Sequence, residues 1–207
     1  MLIHGFAAPS LLMLPLSLRL RRRGWRPQRW SYPSLVRPVR GHVPRLRRML
    51  DEWDETGERY HIVAHSMGGI LVRATLADHR PSGLGRIVLL APPNRGSPVA
   101  RRFPGFLRRL CHPLKDLSDD PASFVNALAD VPLPAETYVI AARSDWLVPE
   151  PATHLRGEAA HVTLGGWHSS LLFSARVAGH IDRFLRDGAD AVVTGNSTAS
   201  RTGPGKP

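Results

Sequence analysis

An α/β fold, with a mostly parallel central sheet of about six strands and helices on both faces, is what the sequence predicts. Short apolar runs alternate with segments whose apolar residues recur three or four positions apart. The runs are separated by enough chain for crossover helices, which parallel strands require and which are right-handed. Polar residues of catalytic type gather at the ends of apolar runs, where open parallel sheets bind their ligands.

The first strand is expected in "MLIHGF" (residues 1–6), followed by a helix in "SLLMLPLSLRLRRRG" (10–24) and a weak strand in "RWSYPS" (29–34). A second helix is expected in "VPRLRRMLDEWDETG" (43–57), then the strand "YHIVAHS" (60–66) and the helix "GGILVRATLADHR" (68–80). "GRIVLLAPP" (85–93), "ETYVIAARSD" (136–145) and "HVTLGG" (161–166) complete the strands. "SSLLFSARVAGHIDRFLRDG" (169–188) carries a broad apolar helix face that runs from Leu171 to Leu185 and stops at Gly188.

One connection exceeds a plain crossover. Residues 94–134 mix Phe103, Phe106, Leu107, Leu110, Phe124, Val125 and Leu128 with helix breakers, the composition of either a lid-like insertion or a pair of packing helices. The expected organisation is one domain over residues 1–187 with this insertion, followed by a disordered tail, 188–207, rich in Gly, Ser, Thr and Pro.

A net charge of +11 raises the question of polyanionic partners. The basic residues are scattered and accompany no nucleic-acid-binding motif, so attraction to anionic membrane surfaces or acidic substrates is the better expectation. Cys111 stands alone and forms no intrachain disulfide. The apolar run "APSLLMLPLSLRL" precedes its basic cluster instead of following it, and Pro15 interrupts it, which argues against a secretory signal and for a cytoplasmic location. The short lead before His4 leaves open a natural start upstream of Met1.

Four strand ends carry reactive groups: His4-Gly5-Phe6, His65-Ser66-Met67, Ser144-Asp145 and His168 just past the last strand. Ser66 sits where a strand passes into a helix. So tight a turn needs small neighbours two positions away on either side, and Ala64, Gly68 and Gly69 supply them. The helix that starts near Met67 points unpaired N–H groups at the site, and Gly5 lets the first turn fold closely. The backbone N–H groups of Phe6 and Met67 are therefore expected to hold a developing oxyanion. His61 and His65 are four apart, a metal-ligand spacing on a helix but not on a strand, so neither a metal nor any other cofactor is expected.

"LIHGF", "VAHSMGG", "LLAPPNRGSPVA", "RSDWLVP" and "GGWHSSLL", in this order, resemble the α/β-hydrolase superfamily, especially its compact bacterial lipases and esterases. The likeness runs from Met1 to about Asp187. It implies a nucleophile, acid and base in the order Ser66, Asp145, His168, with His4 structural in the oxyanion turn. The implied activity is hydrolysis of carboxylic esters through an acyl-enzyme, on a small ester or lipid-like substrate with one acyl chain. Thioester or amide hydrolysis on the same residues remains open, as does a non-catalytic binding role on the same fold. Trp146 and Trp167 are candidates for lining the substrate pocket.

Overall fold

The computed structural model describes residues 1–102, 112–128 and 130–192. Six strands form one sheet: β1 (Leu2–Ile3), β2 (Arg29–Trp30), β3 (Tyr60–His65), β4 (Leu84–Leu90), β5 (Thr137–Ala142) and β6 (Ala160–Leu164). Their order is β2-β1-β3-β4-β5-β6, and every pairing is parallel. The chain starts in β1, steps outward to β2, then crosses back to β3 on the other side of β1. That reversal is a topological switch point, and it opens a crevice between the carboxyl ends of β1 and β3.

Strand residues alternate between two apolar layers, as the pleat dictates. Ile62, Ala64, Ile87, Leu89 and Val139 face α2 (Val43–Asp54) and α3 (Met67–Leu76). Val63, Val88, Leu90, Tyr138 and Ile140 face α1 (Leu14–Arg21) and the last helix. The central strands are buried on both faces, which is why they read as continuous apolar runs.

The last helical segment departs from expectation in one place. It is a 3-10 turn over Ser170–Phe173 and then a separate helix over Ala175–Asp187, with Ser174 extended between them. The Ser174 side chain accepts from the Val177 N–H, an N-cap that restarts the helix and lets Leu171 and Leu172 pack independently of it. The chain stays placed beyond Gly188. Ala189 N–H donates to Glu136 and Val192 is buried; residues 193–207 of the expected tail lie outside the described residues.

Within residues 94–134 three short helices are described: α4 (Pro98–Arg102), α5 (His112–Asp116) and α6 (Phe124–Ala127). The helix Ala175–Asp187 is accordingly α7. Leu114, Leu117, Val125 and Leu128 join the layer under α3, and Asp116 accepts from the Val39 N–H at 2.7 Å. Phe103, Phe106, Leu107, Leu110 and Cys111 lie outside the described residues. Among the described residues, no helix is long and apolar enough to cross a membrane.

Candidate active site

Ser66 caps α3 at the end of β3, with φ 53° and ψ −125°, a region that side chains other than glycine rarely enter. Its N–H is held by the Leu90 carbonyl at 2.8 Å, which ties the turn to β4. The small neighbours have a measurable reason. A Cβ on Gly68 would lie 2.6 Å from the His4 carbonyl oxygen, and one on Gly5 would lie 2.9 Å from the Ser66 Cβ. Ala64, paired in register with Ile3, is fully buried, and a Cβ on Gly69 would press on Pro92 at 3.2 Å.

The first turn is braced by His4. Its Nδ1–H donates to the Gly5 carbonyl at 2.9 Å, its Nε2 accepts from the Tyr32 N–H at 3.3 Å, and Tyr32 Oη donates to the His4 carbonyl at 2.9 Å. The His4 and Tyr32 rings stack at 4.4 Å, and burial pushes the His4 pKa down, so the imidazole is held neutral. Phe6 is half-buried against the α3 layer. Among the described residues, no protein group accepts a hydrogen bond from the N–H of Phe6 or Met67.

Asp145 follows β5 and His168 follows β6. Two backbone bonds zip these loops together past the strands, Arg143 N–H to the Leu164 carbonyl at 2.8 Å and Ser144 N–H to the Gly166 carbonyl at 3.0 Å. The Asp145 side chain is fully buried. Its Oδ1 accepts from the N–H groups of Leu147 and Val148, each at 2.9 Å, which turns Oδ2 toward His168. His168 Nδ1 lies 2.6 Å from that oxygen and Nε2 lies 2.8 Å from Ser66 Oγ. An acceptor carboxylate fixes the proton on Nδ1, so Nε2 presents a lone pair to the serine hydroxyl. The chain Ser66–His168–Asp145 is thus continuous, and Ser66 stands at the β1/β3 crevice.

His65, beside the serine, does more than pack. Its Nε2–H donates to the His168 carbonyl at 3.1 Å, while its Nδ1 is buried without a partner. Burial, then the neighbouring His168, pushes its pKa down to about 3, so it stays neutral. His61 is turned to a different task, its Nδ1 accepting from the Arg86 N–H at 2.8 Å.

Trp146 and Trp167, the candidates for a pocket lining, flank Asp145 and His168 in the chain. They are 71% and 70% exposed, standing in solvent on the loops that carry Asp145 and His168. A cavity of about 360 Å³ lined by Trp25, Trp53, Tyr60 and His61 opens at the amino ends of β1 and β3, the edge opposite Ser66. One further cluster escaped the sequence reading. His154 lies between Glu158 at 2.7 Å and Glu150 at 3.1 Å and stacks on His161 at 4.0 Å. The i, i+4 spacing of Glu150, His154 and Glu158 was the available signal. Ligand-type atoms of Glu150, His154 and His161 lie within 4.8 Å of one another, and Thr153 Oγ, which donates to the Glu150 carbonyl, accepts from His161 Nε2.

No protein-family model matches the sequence, and neither does any curated protein. Solved structures do match. The mature form of Bacillus licheniformis lipase BlEst2 aligns with TM-score 0.72 at 15% identity, over 89% of each chain. Phospholipase PlaB from Legionella pneumophila aligns with TM-score 0.74 at 17% identity, over 95% of this chain but 62% of that longer one. Paleococcus ferrophilus monoacylglycerol lipase aligns with TM-score 0.63 at 15% identity, over 92% of this chain and 93% of that one. The fold is that of the α/β-hydrolase lipases and esterases.

Proposed function

We propose that the protein is a serine hydrolase that cleaves carboxylic esters through an acyl-enzyme. The observation that carries this reading is the unbroken chain of short hydrogen bonds from Ser66 Oγ through His168 to the buried Asp145 carboxylate. A hydroxyl is a weak nucleophile until a base removes its proton in the transition state. His168 Nε2 is placed to do this, and Asp145 holds the ring in the required tautomer and stabilises the imidazolium that forms.

As Ser66 Oγ bonds to the ester carbonyl carbon, the carbonyl π pair moves onto oxygen and the serine proton moves to His168. The unpaired N–H groups of Phe6 and Met67 are the donors for that oxyanion, and α3 aims its amino end at the same place. Collapse expels the alkoxide, which takes the proton from His168. A water then repeats the sequence with His168 as base, releasing the acid and restoring Ser66. A small ester, or one acyl chain, is the proposed substrate class.

The test is a fluorophosphonate probe together with a chromogenic short-chain ester. Modification is expected at Ser66, with fluoride leaving, and Ser66→Ala is expected to lose both labelling and at least about 10³-fold in turnover. Unlabelled folded protein, or hydrolysis that survives Ser66→Ala, would sink the proposal.

A further inference from the structure

We propose that the carboxyl edge of the sheet is a docking face for anionic lipid bilayers, so that Ser66 meets its substrate at a membrane surface. This rests on the ester-hydrolase reading only for what the docked site would act on.

In a parallel sheet every strand ends at the same edge, so the segments leaving the six strands form one surface around Ser66. Large apolar side chains are exposed there on four of those segments: Leu11 after β1, Leu35 and Val36 after β2, Trp146 after β5, and Trp167 and Phe173 after β6. Leu18, on the flank of α1, is the one other large apolar side chain as exposed among the described residues. Six strands at the usual spacing span about 24 Å, and the apolar groups sit at both ends of that row with Ser66 between them. Tryptophans at such positions suit the headgroup level of a bilayer, where an amphipathic ring is at home.

Charge on this edge is one-sided. Across residues 4–9, 31–38, 66, 91–97, 143–149 and 165–174, Asp145 is the only acid, and its side chain is fully buried; Glu150, the next residue on the β5 segment, is paired with His154 at 3.1 Å. Arg37, Arg95 and Arg143 are exposed on the same segments. In the connection that follows β4, Asp119 is paired with Arg101 at 3.1 Å and Asp120 accepts from the Ala122 N–H. The turns that enter the strands, at the opposite edge, hold Glu55, Glu58, Asp78, Asp130, Glu136 and Glu158. A cationic edge studded with apolar side chains matches a surface of anionic headgroups over hydrocarbon, because charge attracts the face and the aromatic rings then anchor it.

Binding is measured on Ser66→Ala protein, so that hydrolysis cannot alter the lipid. Sedimentation and tryptophan emission are followed with vesicles of phosphatidylcholine alone and of phosphatidylcholine mixed with phosphatidylglycerol. The mixed vesicles are expected to retain the protein at least about tenfold better, with a blue-shifted emission, and added salt is expected to weaken the binding. Trp146→Ala with Trp167→Ala, and separately Arg37→Glu with Arg143→Glu, each lower partition about tenfold or more. Both pairs are exposed, so the core survives them. Equal partition to the two vesicles, or partition unchanged in either variant pair, overturns the proposal, as does heparin binding that persists without the tryptophans while vesicles are ignored. Vesicle binding alongside wild-type protein that resists the fluorophosphonate would leave docking standing and remove the hydrolase reading.

Discussion

Ser66 holds the backbone in a strained region, and the strain can be separated from the chemistry. Ser66→Gly and Ser66→Ala both remove the hydroxyl, but only alanine keeps a Cβ at φ 53°. Relief of about 1–3 kcal/mol of strain, less the roughly 0.5–1 kcal/mol that glycine costs through its freer unfolded chain, leaves Ser66→Gly more stable by about 1 kcal/mol. Urea unfolding of the two variants measures this; equal midpoints would mean that the turn stores nothing. The neighbouring His65 acts through His168. Because its Nε2–H fixes the His168 carbonyl, His65→Ala is expected to lower kcat about tenfold or more with little change in KM, since small misplacements of a base are costly. His65→Gln keeps an N–H donor and should recover much of the loss. A glutamine variant no better than alanine would assign His65 to packing alone.

At the scale of elements, α3 is tied to the insertion by a buried cation. Arg73 of α3 is 2% exposed and donates to the Asn94 carbonyl and side chain and to the Leu128 carbonyl, with no carboxylate among its described partners. Asn94 in turn donates to the Thr153 carbonyl at 2.6 Å, so one guanidinium gathers the β4 loop, the insertion and the turn after Asp145. Arg73→Met leaves those acceptors unsatisfied and is expected to cost about 1–3 kcal/mol. Hydrogen exchange should show the loss concentrated in residues 112–128 and 150–153; uniform loosening of α3 instead would refute the tie. This network was not legible in the sequence. Arg73 lies within a helix whose apolar face is clear, and a charged residue there reads as solvated until the fold buries it. The central strands, by contrast, were legible because burial on both faces leaves unbroken apolar runs. The restart at Ser174 was not, since the apolar periodicity passes through it and only the cap geometry breaks the helix.

Over the whole molecule, what the sequence made readable of the site is what chain order and strand ends dictate: Ser66, Asp145 and His168 each follow a strand of one parallel sheet, so they must meet at one edge. Exposure is different. Trp146 and Trp167 adjoin those residues in sequence, and adjacency does not say how far a side chain is exposed. The neutral histidines carry the other whole-molecule consequence. Burial pushes His65 down to about 3, and burial with nearby positive charge pushes His61 and His180 down to about 4. The unfolded chain binds protons at these positions near pH 6.5, so between pH 6.5 and about 4 it holds more protons than the folded one. Their contribution is therefore complete above pH 6.5 and is lost as pH falls. His154 works the other way: burial pushes it down, but Glu158 and Glu150 outweigh that and hold it above its ordinary value. His65 alone should account for a loss of about 2 kcal/mol between pH 7 and pH 5. Denaturant unfolding at the two pH values, on wild type and on His65→Gln, isolates that share, because glutamine fills the position without titrating. The variant is expected to lose about 2 kcal/mol less than wild type over this interval. An equal loss in both would show that the proton taken up on unfolding goes elsewhere.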